Sequence, residues 1–170
     1  MNKKIFVVDT SYLLELFKIG KDWEEIAHHA IMAKFDTEQL NNSQFYFPIP
    51  VLFELANHIA DAHNKQQAIK SFKDLIDNFL DEDMPFFITP CSNAESIKDF
   101  IQDLYLTITR FNNEFATQQL GLTDVSIISE AERLAKKYKL SATVHIWTRH
   151  KKLKAKEPHS EQNAFVRELQ

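Results

Sequence analysis

Only two of the 170 residues are glycine, Gly20 and Gly121, far apart in the chain. A dinucleotide-binding turn needs three glycines in one short stretch, and a P-loop needs two followed by lysine. Neither can be built here, so any phosphate chemistry must come from side chains and metal. The Asn-Gly and Asp-Gly pairs of tight hairpins are missing as well, which argues against an all-β fold. Cysteine is limited to Cys91, so no internal disulfide can form, and we expect a reducing, cytoplasmic setting. No apolar run approaches the roughly 18 residues of a membrane span, so no membrane association is expected. Met1-Asn2-Lys3-Lys4 leads into only four apolar residues before Asp9, too few for a signal peptide. The net charge of −4 excludes a general attraction to nucleic acid and leaves only a local patch to provide one.

What is abundant describes an ordinary folded domain. Hydrophobic residues make up 44% of the chain and fourteen residues are phenylalanine, so the core should be aromatic. Ile5-Phe6-Val7-Val8 reads as a strand buried on both faces that stops at Asp9. Thr10 and Ser11 offer caps for a helix carrying Tyr12, Leu13, Leu14, Leu16 and Phe17 and ending near Gly20. A second helix is predicted from Asp22 to about Phe35, and Phe45-Tyr46-Phe47 as a second strand. Pro50 suits the first turn of the next helix, with Leu52, Leu55, Ala56 and Ile59 on one face. Helical spacing continues over 65–80 and from Glu95 to about Phe115, separated by a strand at Phe86–Thr89. Asp124 opens a helix striped by Ile127, Ile128, Ala131 and Leu134, and Thr143–Thr148 is the last strand. Beyond it the chain is polar, with a helical turn expected only at Ala164–Leu169.

Strands alternating with helices indicate an α/β fold with a mainly parallel sheet. We expect one domain over residues 1–153 and a polar, basic tail over 154–170. In such folds ligands bind beyond the carboxyl ends of the strands. Asp9 ends the first strand, Glu54 lies in the first turn of the helix after the second, and Asp124 opens a late helix. Converging there, they would offer the oxygen ligands that a hard divalent cation takes. Such an ion can hold a phosphodiester and activate water.

These segments resemble the PIN-domain family. Phe6-Val7-Val8-Asp9-Thr10-Ser11 looks like its opening motif, and Pro50-Val51-Leu52-Phe53-Glu54-Leu55 like its second. Gly121-Leu122-Thr123-Asp124-Val125-Ser126-Ile127-Ile128 with Ala131 is similar to the third. Val144-His145-Ile146-Trp147-Thr148-Arg149-His150 matches the fourth in position. The resemblance covers roughly residues 4–153, in order. It implies a three-layer α/β/α fold and a metal-dependent ribonuclease, often the VapC-like toxin of a toxin–antitoxin pair. It further implies magnesium or manganese held by Asp9, Glu54 and Asp124, with Thr10 and Thr148 supporting them. RNA, an antitoxin protein and a second copy of the chain are the implied partners. The helices around 65–80 and 95–116 exceed a minimal PIN domain. At the fourth position His150 replaces an aspartate, and imidazole suits manganese better than magnesium.

Each residue also has a plainer reading. Asp9 could simply cap its helix, Asp124 could answer the helix dipole, and Glu54 could be a solvated surface residue. His150 is a ligand, a contact to RNA phosphate, or a surface residue of a basic loop. Arg149, Lys151, Lys152, Lys154 and Lys156 form either an RNA-binding patch or a solvated tail. Trp147 and Tyr12 either stack on bases or belong to the core. Zinc is excluded by spacing: Glu54, His58 and His63 lack a histidine pair at i, i+4, and the adjacent His28-His29 cannot share one site. An aspartate-nucleophile phosphatase usually has a second aspartate at the position of Ser11. An alternative within the family reading is a PIN fold that no longer cleaves and binds RNA or protein.

Overall fold

The computed structural model describes residues 3–20, 23–89 and 97–161. Cys91, the helix starts expected at Asp22 and Glu95, and the turn expected at Ala164–Leu169 lie outside them. Four strands make one sheet: β1 (Lys3–Val8), β2 (Gln44–Pro48), β3 (Phe86–Thr89) and β4 (Ala142–Trp147). Their order is β3-β2-β1-β4 and every pairing is parallel. The described helices are α1 (Thr10–Leu16), α2 (Glu25–Leu40), α3 (Ile49–Ala60), α4 (Lys65–Leu80), α5 (Ile97–Arg110), α6 (Leu122–Lys137) and the short α7 (Lys151–Lys154).

Register decides the layers. Phe6 pairs with Phe45 and His145, and Phe45 with Phe86, so these rings share one face of the sheet. Phe35 of α2 stacks on Phe45, Tyr12 of α1 on Trp147, and Phe79 of α4 lies edge-on to Phe47. Those helices therefore cover the aromatic face. α6 packs against β1, β2 and β4 on the other, which completes three layers. Tyr12 and Trp147 are fully buried in this aromatic core, which removes them from any base-stacking role. α3 touches both α1 and α6, so it bridges the two helical layers.

The chain steps outward from β1 to β2 to β3, then crosses back to place β4 on the other side of β1. Strand order thus reverses between β1 and β4, where parallel sheets open a crevice for ligands. Asp9 and Thr148 are the residues that follow these two strands.

Helix limits depart from the sequence expectation in four places, the first being α1, which ends at Leu16 rather than near Gly20. α2 runs to Leu40 rather than Phe35, because Glu38 is buried by Lys4 at 2.9 Å and Ser43 at 2.7 Å. α6 begins at Leu122, two residues before Asp124. α5 ends at Arg110 and passes through a π-helical turn, Phe111–Phe115, where Arg110 grips Glu132 and Glu114. Its apolar stripe at Ile101, Leu104 and Ile108 is exposed. No described helix is long and apolar enough to cross a membrane.

The expected boundary at residue 153 runs through bonded structure. Up to Glu161 the segment lies along the outer edge of β4 and satisfies it with side chains. Val144 N–H donates to His159 Nδ1 at 3.0 Å, and Ile146 N–H to Glu157 Oε2 at 3.1 Å. Lys154 Nζ donates to the Ile146 carbonyl at 3.0 Å, and His159 N–H to that of Val144. Glu161 is held by Lys34 at 3.1 Å.

This clasp should weaken with acid. His145 Nδ1–H donates to the His159 carbonyl, leaving Nε2 to accept from Thr143. Burial lowers the pKa of this imidazole below 6.5, against Glu161 and Glu157 and the His159 bond, with Lys154 adding to the lowering. A folded pKa below the unfolded one means that the open segment takes the proton first. The contribution is therefore complete above pH 6.5 and is lost as pH falls from there towards the folded value. Intrinsic-rate-corrected hydrogen exchange at Val144 and Ile146 should show protection falling as pH drops below 6.5. His145→Gln should lessen that dependence; an undiminished pH-dependent fall in the variant would assign it elsewhere.

Candidate functional site

Three acids meet at the β1–β4 crevice. Asp9 follows a strand whose last four residues are fully buried, and it remains only 7% exposed. It caps α1, but two hydroxyls also converge on its Oδ2: Ser11 Oγ donates at 2.5 Å and Thr148 Oγ1 at 2.8 Å. One carboxylate therefore caps α1 and receives hydroxyls from both α1 and the end of β4. Thr10, the next residue, donates through Oγ1 to Glu54 Oε2 at 3.0 Å. That bond fixes Glu54, which α3 presents half-buried between α1 and α6.

Asp124 enters from the other helical layer. Its Oδ2 accepts the Gly121 N–H at 2.7 Å, half of a capping box at the start of α6. Burial raises its pKa; the Gly121 bond opposes this, Asp9 and Glu54 raise it further, and His150 lowers it. Asp9 and Glu54, from remote parts of the sequence, thus both act on Asp124. His150 Nδ1 stands 3.8 Å from Asp124 Oδ1, while its backbone N–H donates to Thr148 Oγ1 at 2.9 Å. The imidazole accordingly faces Asp124. Glu157, the next acid along the chain, is spent on the β4 edge and on Lys154 at 2.6 Å, so it does not substitute.

The basic cluster divides. Lys151 and Lys152 are exposed, and Lys152 Nζ donates to Gln119 Oε1. Lys154 is turned inward onto Glu157 and the Ile146 carbonyl, and Arg149 onto Glu15. Both side chains are thus turned onto carboxylates of the chain itself, whereas the sequence left an RNA-binding patch and a solvated tail open. From sequence Ser11 is a candidate helix cap, and Glu15 carries no assignment. The available signal was their i, i+4 spacing and one acid within the run Tyr12 to Phe17.

The donor set suits a hard divalent ion in kind. Among the described residues no hydrogen bond engages Asp9 Oδ1, Glu54 Oε1 or Asp124 Oδ1. These are carboxylate oxygens, the ligand type that magnesium and manganese take. No group of three His, Cys, Asp or Glu side chains among the described residues is close enough to hold a metal, however. The acids fit in chemistry, and coordination would require them to draw closer. Neither of two surface cavities, of about 610 and 430 Å³, includes Asp9, Glu54 or Asp124 in its lining. One lies at the amino end of the sheet and the other among α1, α2 and α4.

No family model, curated protein or solved structure significantly matches the chain. The site has to be read from its own geometry.

Proposed function

We propose that this crevice is the active site of a PIN-like, metal-dependent endoribonuclease. One observation carries the reading: where the strand order reverses, Asp9 and Glu54, held by Thr148 and Thr10, both act on Asp124, which is remote from them in sequence. These three residues would hold magnesium or manganese. Bound there, the ion would supply an activated water and charge neutralisation at an RNA phosphodiester. Asp9 is oriented by Ser11 and Thr148, and Glu54 by Thr10. His150 adds an imidazole beside Asp124, a donor that favours manganese over magnesium. Lys151 and Lys152 offer exposed charge for the RNA backbone.

The test is cleavage of mixed single-stranded RNAs with manganese, magnesium or EDTA, together with calorimetric titration of manganese. We expect manganese-dependent cleavage that EDTA stops, and Asp124→Asn should lower it by about 100-fold or more. Cleavage indifferent to both EDTA and Asp124→Asn would sink the reading. A binding module is the second reading, favoured by His150 at the fourth position. RNA binding with no metal uptake and no cleavage would decide for it, and cleavage gained by His150→Asp would identify the missing acid as the defect.

A further inference from the structure

Residue 149 is anchored twice on α1. Its backbone N–H donates to Ser11 Oγ at 2.9 Å, and its guanidinium lies against the Glu15 carboxylate, one turn further along. The arginine side chain is 10% exposed and that of Glu15 only 4%. Glu15 is itself held, its Oε2 accepting the Glu24 N–H at 3.0 Å, while the Glu24 carboxylate approaches the guanidinium at 3.9 Å. Burying two charges costs desolvation that a well-packed apolar pair of the same volume avoids, so stability alone is a weak reason for such a pair.

The neighbours of Arg149 indicate its use. Thr148 on one side donates to Asp9, and His150 on the other faces Asp124. Ser11, which receives the Arg149 amide, also donates to Asp9 Oδ2. We propose that Arg149 is a positioning residue: its grip on Glu15 fixes Thr148 upon Asp9 and His150 against Asp124, and it makes no contact with nucleic-acid phosphate. The inference rests on the ribonuclease reading for its kinetic consequences, and on the clamp alone for its structural ones.

Arg149→Lys and Glu15→Gln in the full chain test it, with Lys152→Gln as the comparison for a phosphate contact. Misplacement of catalytic groups by about 1 Å costs on the order of 100-fold. Each clamp variant should therefore lower kcat by about 100-fold at unchanged KM, and the double variant should be little worse than either alone. The slope of log RNA affinity against log salt should stay unchanged in both, whereas Lys152→Gln should reduce it by about one. The His150 imidazole resonances should shift in both clamp variants and stay in place in Lys152→Gln.

A reduced salt slope with unchanged kcat in Arg149→Lys would overturn the proposal and restore a phosphate contact. A lower Tm with unmoved His150 resonances would overturn it in favour of a merely structural pair. Should the wild-type chain cleave no RNA, the ribonuclease reading fails; shifted resonances would still support the clamp, and unshifted ones would overturn it as well.

Discussion

Asp9→Asn is expected to reduce RNA cleavage by about 100-fold or more while leaving the fold in place. The substitution is nearly isosteric, and asparagine caps helices about as well as aspartate, so stability should change by less than about 1 kcal/mol. The amide oxygen can still accept from Ser11 and Thr148, which now meet at Oδ2. Its NH₂ then falls where Oδ1 stood, placing a donor where a cation needs an acceptor. A second consequence is electrostatic. Asp9 is among the groups raising the pKa of Asp124, so that carboxyl should move back towards its ordinary value. Single-turnover cleavage, a thermal melt and a carboxyl NMR titration of Asp124 together check all three points. Cleavage retained to within tenfold would remove Asp9 from the chemistry.

Lys154→Ala should produce the largest loss of stability. The lysine and Glu157 are almost fully buried against one another at 2.6 Å, and Nζ also satisfies the Ile146 carbonyl. Removing one partner strands the other charge in the interior, a change that costs about 3–5 kcal/mol. That is a large share of the roughly 5–15 kcal/mol that holds a domain together. At about 2–4 °C per kcal/mol for a chain of this size, Tm should fall by roughly 6–20 °C. RNA affinity, measured where the variant is still folded, should be unchanged. Unfolding within about 1 kcal/mol of wild type, or a loss of RNA affinity in the folded variant, would place Lys154 on the surface instead.

These two residues also mark what could be read in advance. Asp9 was legible because it ends a buried apolar strand, where an acid has few structural excuses. α4 and β3 were legible to the residue, since Asp81 stops one apolar period and Pro85 precedes the next run. Lys154 and Arg149 were not. A run of basic residues looks the same whether it faces solvent, RNA or a buried carboxylate. Glu15 lies 134 positions from its partner, so the pair exists only once β4 lies beside β1. The end of α2 was hidden for a related reason: Glu38 is buried through Lys4 and Ser43, and apolar periodicity carries no trace of a buried polar residue.

The clasp over β4 has a consequence for assembly. A parallel sheet has two rims, and unpaired main-chain groups on either are templates for another strand. Here the β4 rim is occupied by Lys154, Glu157 and His159, so among the described residues the rim at which the sheet could lengthen is that of β3. That rim is separated from Asp9 by the whole of β2. Growth by strand addition, whether towards a partner or towards an aggregate, is thereby directed away from the acids and leaves their crevice open.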